Sequence, residues 1–201
     1  MVEVNKVPCS KCLSPDMMMC DCSLPSRVDV PIMNTSQEIE RKFLLNCDLV
    51  KVLKQYHHIE QTITQSYLPD GGEWTIRLRH VVRTATVDRF YLTLKKKICA
   101  VSCIEIETEI DRKAYTNAAA HAGPKLCKRR FVFRHEGHTW EIDHFLNPEF
   151  NNLVVAEIEL DSIHETFATP TWLGKEVTHE RKYKNAKMVK QLKAQSQTIL
   201  T

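Results

Sequence analysis

Three residues in the stretch SQEIERKFLL, positions 36–45, have the types and spacing to share one ligand. Glu38, Glu40 and Lys42 fall on every second position, and Ile39 and Phe43 occupy the beat between them. Because alternate side chains of a strand face opposite ways, two carboxylates and an ammonium would point together while the apolar residues point away. The same split recurs along the chain. Arg77 and Arg79 oppose Ile76 and Leu78; Lys95, with Tyr91 and Thr93, opposes Phe90, Leu92 and Leu94; Glu105, Glu107 and Glu109 oppose Ile104, Ile106 and Ile110. Lys128 and Arg130 oppose Phe131 and Phe133, Glu141 and Asp143 oppose Trp140 and Ile142, and Glu157 and Glu159 oppose Ala156, Ile158 and Leu160. Carboxylate pairs are hard oxygen ligands suited to Mg2+ or Mn2+, whereas Arg and Lys donors suit phosphate oxygens.

A sheet with one wet face and one packed face would also carry charge on alternate positions. Such a face is normally diluted with Thr, Ser and Gln, whereas here long side chains of like charge sit two residues apart and repel unless something of opposite sign lies between them. If the sheet curls into a closed barrel, the charged beats meet in one lumen, and the apolar beats face outward and need helices to cover them. A ligand that satisfies both kinds of group in that lumen is a polyphosphate with divalent metal ions.

The elements that must position these residues are mostly strands. Period-two segments are EIERKFLL, ITQSYLP, WTIRLRHVV, RFYLTLKKK, CIEIETEID, KRRFVF with TWEIDHF as its hairpin partner, and LVVAEIEL, eight strands in all. Helices are expected at CDLVKVLKQY, at RKAYTNAAAHA, stopped by Gly123-Pro124, and at the terminal HERKYKNAKMVKQLKAQ. Two short links, PDGGE at 69–73 and HEGH at 135–138, favour antiparallel neighbours.

The 201 residues are 43% apolar and 26% charged, which suits one globular domain, and a net charge of +3 gives no reason to expect duplex nucleic acid or an acidic membrane as partner. No apolar run reaches the ~18 residues of a spanning helix, and the polar, acidic start does not read as a signal peptide. A cytoplasmic chain with reduced thiols follows as the expectation. Residues 1–34 hold four of the eight cysteines and no aromatic residue, which marks a flexible extension before a domain at 35–201. Cys9, Cys12, Cys20 and Cys22 could bind zinc, although the gap between the two pairs is shorter than usual finger spacings, and a tail of reduced thiols is the competing reading. Trp74, Trp140 and Trp172 read as packing residues, and the pair His57-His58 as surface. The lysines at 184, 187, 190 and 193 read as a solvated helix face, with attraction of anions to a tunnel mouth as the alternative.

EIERKFL resembles the E-x-E-x-K signature of the CYTH superfamily, the triphosphate tunnel metalloenzymes, and the later stretches TIRLR, YLTLK, EIETEID, KRRFVF, WEIDHF, VVAEIEL and WLGKEVTHERKYKN resemble, in order, further motifs of its short bacterial-type members. The resemblance covers about residues 36–190. It implies an α+β, mainly antiparallel fold, an eight-stranded closed β-barrel with a polar lumen and covering helices. It also implies metal-dependent hydrolysis of triphosphates, with tripolyphosphate, ATP or thiamine triphosphate as the small-molecule partner and a homodimer left open. Carried over by motif, Glu38, Glu40, Asp143, Glu157 and Glu159 would hold Mg2+ or Mn2+. Lys42, Arg77, Arg79, Lys95, Lys128 and Arg130 would hold phosphate, together with Lys182 or its neighbour Arg181. Glu38, Glu40, Lys42, Glu105 and Glu107 would be the catalytic set, with either a metal or Glu105 or Glu107 activating water. Inorganic triphosphatase is the first expectation. Thiamine or nucleoside triphosphatase, adenylyl cyclase and a non-catalytic triphosphate-binding module are the alternatives.

Overall fold

The computed structural model describes residues 34–69, 72–99 and 101–198, with side chains from 38 to 194. The four N-terminal cysteines considered for zinc lie outside the described residues. In chain order the elements are β1 (Asn34–Leu45), α1 (Leu49–Leu53), β2 (Ile59–Tyr67), β3 (Trp74–Val82), β4 (Arg89–Lys97), β5 (Ser102–Ile110), α2 (Arg112–Ala119), β6 (Leu126–His135), β7 (His138–Phe145), β8 (Val154–Glu159), β9 (Leu173–Glu176) and α3 (Asn185–Thr198). No helix among the described residues is long and apolar enough to cross a membrane.

All strand pairs are antiparallel, in the order β5-β4-β3-β2-β6-β7-β8-β1, and β5 pairs back onto β1 to close a ring of eight. β1 closes it with two different partners: Asn34–Ile39 run against β5, and Glu40–Leu44 run against β8 on the other edge. Short turns set the hairpin registers. Glu136 and Gly137 take φ of 47° and 83° between β6 and β7, the left-handed pair that a two-residue turn requires, and Gly72 takes 58° before β3.

The apolar beat faces outward, and each part of it is buried differently. Ile39, Phe43, Phe131, Phe133, Trp140, Ile142, Ala156 and Ile158 form one core under α1 and the stretch containing Phe167 and Trp172. Trp140 and Trp172 are packing residues at its centre, with rings 5.1 Å apart. Asp48 caps α1 by accepting from the Val50 amide, and Asp111 caps α2 by accepting from the Ala114 amide. A second core lies at one end of the ring. Leu126, Phe145 and Val155 continue the inward beat of Lys128, Asp143 and Glu157, and pack on Met188, Val189 and Leu192 of α3. α3 thereby closes that end with apolar contacts.

Two expectations about elements are corrected. β9 is a ninth strand, attached to the second half of β1, where Phe43 pairs with Glu176 and Leu45 with Leu173. The terminal helix starts later than its lysine-rich sequence implies: Arg181–Tyr183 form a separate 3-10 turn, and Lys184 is extended at φ −83° and ψ 124° before α3 begins.

Candidate functional site

The inward beats meet around a cavity of about 490 Å3. Its wall contains seven glutamates, Glu38, Glu40, Glu105, Glu107, Glu141, Glu157 and Glu159, and eight cations, Lys42, Arg77, Arg79, Lys95, Lys97, Arg130, Lys184 and Lys187. So balanced a lining suits a ligand that itself carries both signs.

Strand register turns the sequence pattern into contacts. Lys42 lies opposite Glu157, and its Nζ donates to Glu157 Oε1 at 2.5 Å while standing 3.2 Å from Glu40 Oε1. Burial opposes the charge on Lys42, but Glu157 and Glu40 overcome it and raise its pKa. Thr93 lies between Arg77 and Glu107 and donates to Glu107 Oε2 at 2.7 Å; Arg79 Nη2 donates to Glu107 Oε1 at 2.6 Å. Lys95 bridges Glu105, at 2.5 Å, and Glu38, whose Oε2 also accepts from Cys103 Sγ at 3.1 Å. Burial and the Glu38 carboxylate push the Cys103 thiol up to about 12.

Two predicted residues sit behind the wall. Asp143 is fully buried: Arg130 grips it with Nε and Nη2, each at 2.7 Å, and Lys128 donates to it from the other side. Burial alone would raise the Asp143 pKa, but the charges of Arg130 and Lys128 hold it well below the usual carboxylate range. Burial, with Arg130 beside it, pushes Lys128 down to about 8. Both Asp143 oxygens are therefore bonded to the protein's own cations, and Asp143, expected as a metal ligand, lies behind the cavity wall and holds Arg130. Lys128 likewise supports the wall and is not one of its lining residues. Glu141, two residues before Asp143 on β7, reaches the cavity in its place.

Arg181 and Lys182 do not line the cavity. Their 3-10 turn holds them outside, where Lys182 Nζ pairs with Glu180 at 3.3 Å and lies 4.9 Å from the Tyr183 ring centre. The basic groups that edge the cavity there are Lys184 and Lys187, while Lys190 and Lys193 face solvent. Tyr67 and Cys103 also line the wall without having been singled out. Tyr67 is the inward residue of β2 opposite Arg77, a position the β2 alternation contained.

The donor set fits a divalent cation on a specific observation. Glu40 lies opposite Glu159, and Glu157 lies opposite Glu141, like charges in direct register, which is unfavourable unless a cation intervenes. Arg130 serves the second pair, with Nη1 on Glu141 and Nη2 3.5 Å from Glu157. For the first pair, Lys42 serves Glu40 alone, and Glu159 has no ion-pair partner among the described residues. Burial, then the carboxylates of Glu141 and Glu38, raise the Glu159 pKa to about 7. Hard carboxylate oxygens short of positive charge are what Mg2+ or Mn2+ accepts. No three acidic, His or Cys groups among the described residues form a ready cage, because Glu38, Glu40 and Glu157 each hold a lysine.

The chain also resembles known proteins. The profile of the CYTH domain matches residues 36–192. The chain is 34% identical over 156 residues to an inorganic triphosphatase of Acetivibrio thermocellus, covering 77% of this chain and 94% of that protein. It is 27% identical over 142 residues to an inorganic triphosphatase of Nitrosomonas europaea, covering 63% and 93%. The crystal structure of the inorganic triphosphatase NE1496 superposes with a TM-score of 0.53 at 27% identity, over 76% of this chain and 93% of that one.

Proposed function

Since the chain belongs to the CYTH domain family, we propose that it is a divalent-metal-dependent triphosphatase that hydrolyses inorganic tripolyphosphate to pyrophosphate and orthophosphate. The observation that carries this reading is the two-sign lumen, in which eight cations and seven glutamates surround one cavity and the Glu40–Glu159 pair is short of positive charge. The names of the relatives support the choice of substrate. So does a wall rich in charge, in which Tyr67 is the aromatic residue, over a nucleotide that needs a base platform.

Arg77, Arg79, Lys95, Arg130 and Lys42 hold the phosphate oxygens, with Lys184 and Lys187 at the edge of the cavity in the part first given to Arg181 and Lys182. Arg is suited to this by its planar fork and Lys by its point charge. Glu38, Glu40, Glu157 and Glu159, joined by Glu141, would hold Mg2+ or Mn2+. When bound there, the ion neutralises phosphate charge and lowers the pKa of a water. Asp143 and Lys128 lock the Arg130 guanidinium so that its orientation requires no rearrangement when a phosphate arrives. In the reaction the bond between the terminal phosphorus and its bridging oxygen breaks, the water oxygen stays on the orthophosphate, and a lumen carboxylate accepts the water's proton. Glu107 already accepts from Thr93, Arg77 and Arg79, so its oxygens orient the arginines. Glu105, paired with Lys95 at 2.5 Å and standing 3.6 Å from Arg77, is the other acid of that strand that reaches the lumen.

A colorimetric phosphate-release screen with tripolyphosphate, ATP and thiamine triphosphate, in Mg2+ or Mn2+, tests the reading. Release is expected to be fastest from tripolyphosphate and to stop with EDTA. No release from any of the three would refute it.

A further inference from the structure

At the end of the ring away from α3 lies another cavity of about 200 Å3. Arg79, Arg130 and Glu141 line it as well as the lumen, so the two spaces share a wall. Arg83 and Arg89 line the smaller cavity and not the lumen. The lining differs in kind from that of the lumen: four arginines face a single glutamate, and that glutamate is already paired with Arg130.

Arg79 pairs with Glu107 and Arg130 with Asp143 and Glu141, so the arginine without a carboxylate partner among the described residues is Arg83. Arg83 donates its Nε to a neutral acceptor, Gln61 Oε1, at 3.1 Å, and forms no ion pair with any described residue. Arg89 does pair with Glu109, at 2.5 Å. The Nε of Arg79 is buried without an acceptor. Burial first, and then the charges of Arg77 and Arg130, lower the Arg79 pKa below its ordinary value. The turn carrying Arg83 is fixed by bonds of the Thr86 amide and hydroxyl to the Arg83 carbonyl, each at 3.3 Å. A cluster of forked donors around a small space, with one carboxylate in its lining and Arg83 free of any, matches a compact multivalent oxyanion.

We propose that this cavity is an orthophosphate-binding site, separate from the triphosphate positions in the lumen, which receives the phosphate released there. Arg79 and Arg130 reach both spaces, and Arg83 and Arg89 define the new one. The source of the phosphate rests on the proposed hydrolysis; the chemistry of the site does not.

The test compares the full chain with the Arg83→Gln/Arg89→Gln double variant, the Arg83→Gln single variant, and a charge-matched Lys51→Gln/Lys54→Gln pair on α1. Titration calorimetry with inorganic phosphate is read beside the inhibition of tripolyphosphate turnover by added phosphate. Losing charged hydrogen bonds from two arginines should weaken phosphate binding about tenfold or more. The single variant should weaken it less, and the α1 pair should leave it near wild type. The phosphate inhibition constant should rise by more than the KM for tripolyphosphate. Unchanged phosphate binding in the double variant, or equal weakening in the α1 pair, would overturn the site. If wild type turns over no triphosphate yet phosphate binding is lost in the double variant, the site stands and the hydrolysis reading falls.

Discussion

Glu159 and Asp143 are both acids on the inward beat, yet their surroundings give them opposite tasks. Glu159 has its pKa raised to about 7 by burial and by Glu141 and Glu38, so it favours the folded state while protonated. A raised folded pKa gives stability that is full below the unfolded value of roughly 4.3 and is lost as pH rises through the folded value. In EDTA, the thermal midpoint should fall between pH 4.3 and 7 with a slope that Glu159→Gln flattens, and Mg2+ or Mn2+ should restore the loss. An identical slope in wild type and variant would contradict the assignment. Asp143 is the anion between Arg130 and Lys128, so Asp143→Asn leaves buried Lys128 without its ion-pair partner and Arg130 with Glu141 and Glu157 alone, and should cost roughly 3–5 kcal/mol in metal-free denaturation. A metal ligand would instead show little loss in EDTA. That Asp143 and Glu141 share a face was legible in the alternation. Which of the two reaches the cavity depends on how far along β7 the arginine of β6 lies, and only the Arg130–Asp143 register fixes that.

The strands that alternate over their full length, such as Trp74–Val82 and Arg89–Lys97, have the bounds that their sequence implies. β9 does not, because its four residues, with Gly174 among them, have no alternation and become a strand only against β1. Gly174 is there for closeness: an added Cβ would stand 2.8 Å from the Leu44 carbonyl oxygen and 3.1 Å from the Asn46 nitrogen, backbone atoms that no rotamer change moves. Just beyond β9, the Val177 amide donates to the Lys42 carbonyl at 2.8 Å, and Thr178 Oγ1 accepts from the Lys42 amide at 3.0 Å. Gly174→Ala should therefore destabilise the fold by roughly 1–3 kcal/mol and also impair tripolyphosphate turnover through Lys42. Wild-type melting and turnover in that variant would show that β9 is dispensable. The 3-10 turn at Arg181–Tyr183 was hidden for a related reason: a lysine-rich run reads as continuous helix, and the break before α3 comes from its docking across the end of the ring.

At the scale of the whole molecule, a ring in which seven of eight strands turn charge inward, with β2 contributing Tyr67, can close only around something polar. The inside-out pattern was readable from the chain, and the ring with its outward core under α1 and one end closed by α3 accounts for it. What the alternation could not supply was the pairing of like charges, Glu40 with Glu159 and Glu157 with Glu141, because cross-strand partners are set by register between distant segments. That pairing makes the lumen a site for a cation as well as for an anion. The most direct measurement is 31P NMR of tripolyphosphate incubated with the protein and Mg2+ or Mn2+, with Glu40→Gln run in parallel. Equal amounts of pyrophosphate and orthophosphate from the wild type, nearly absent with Glu40→Gln, is the predicted result. Intact tripolyphosphate with the wild type, or undiminished turnover by Glu40→Gln, would contradict the account.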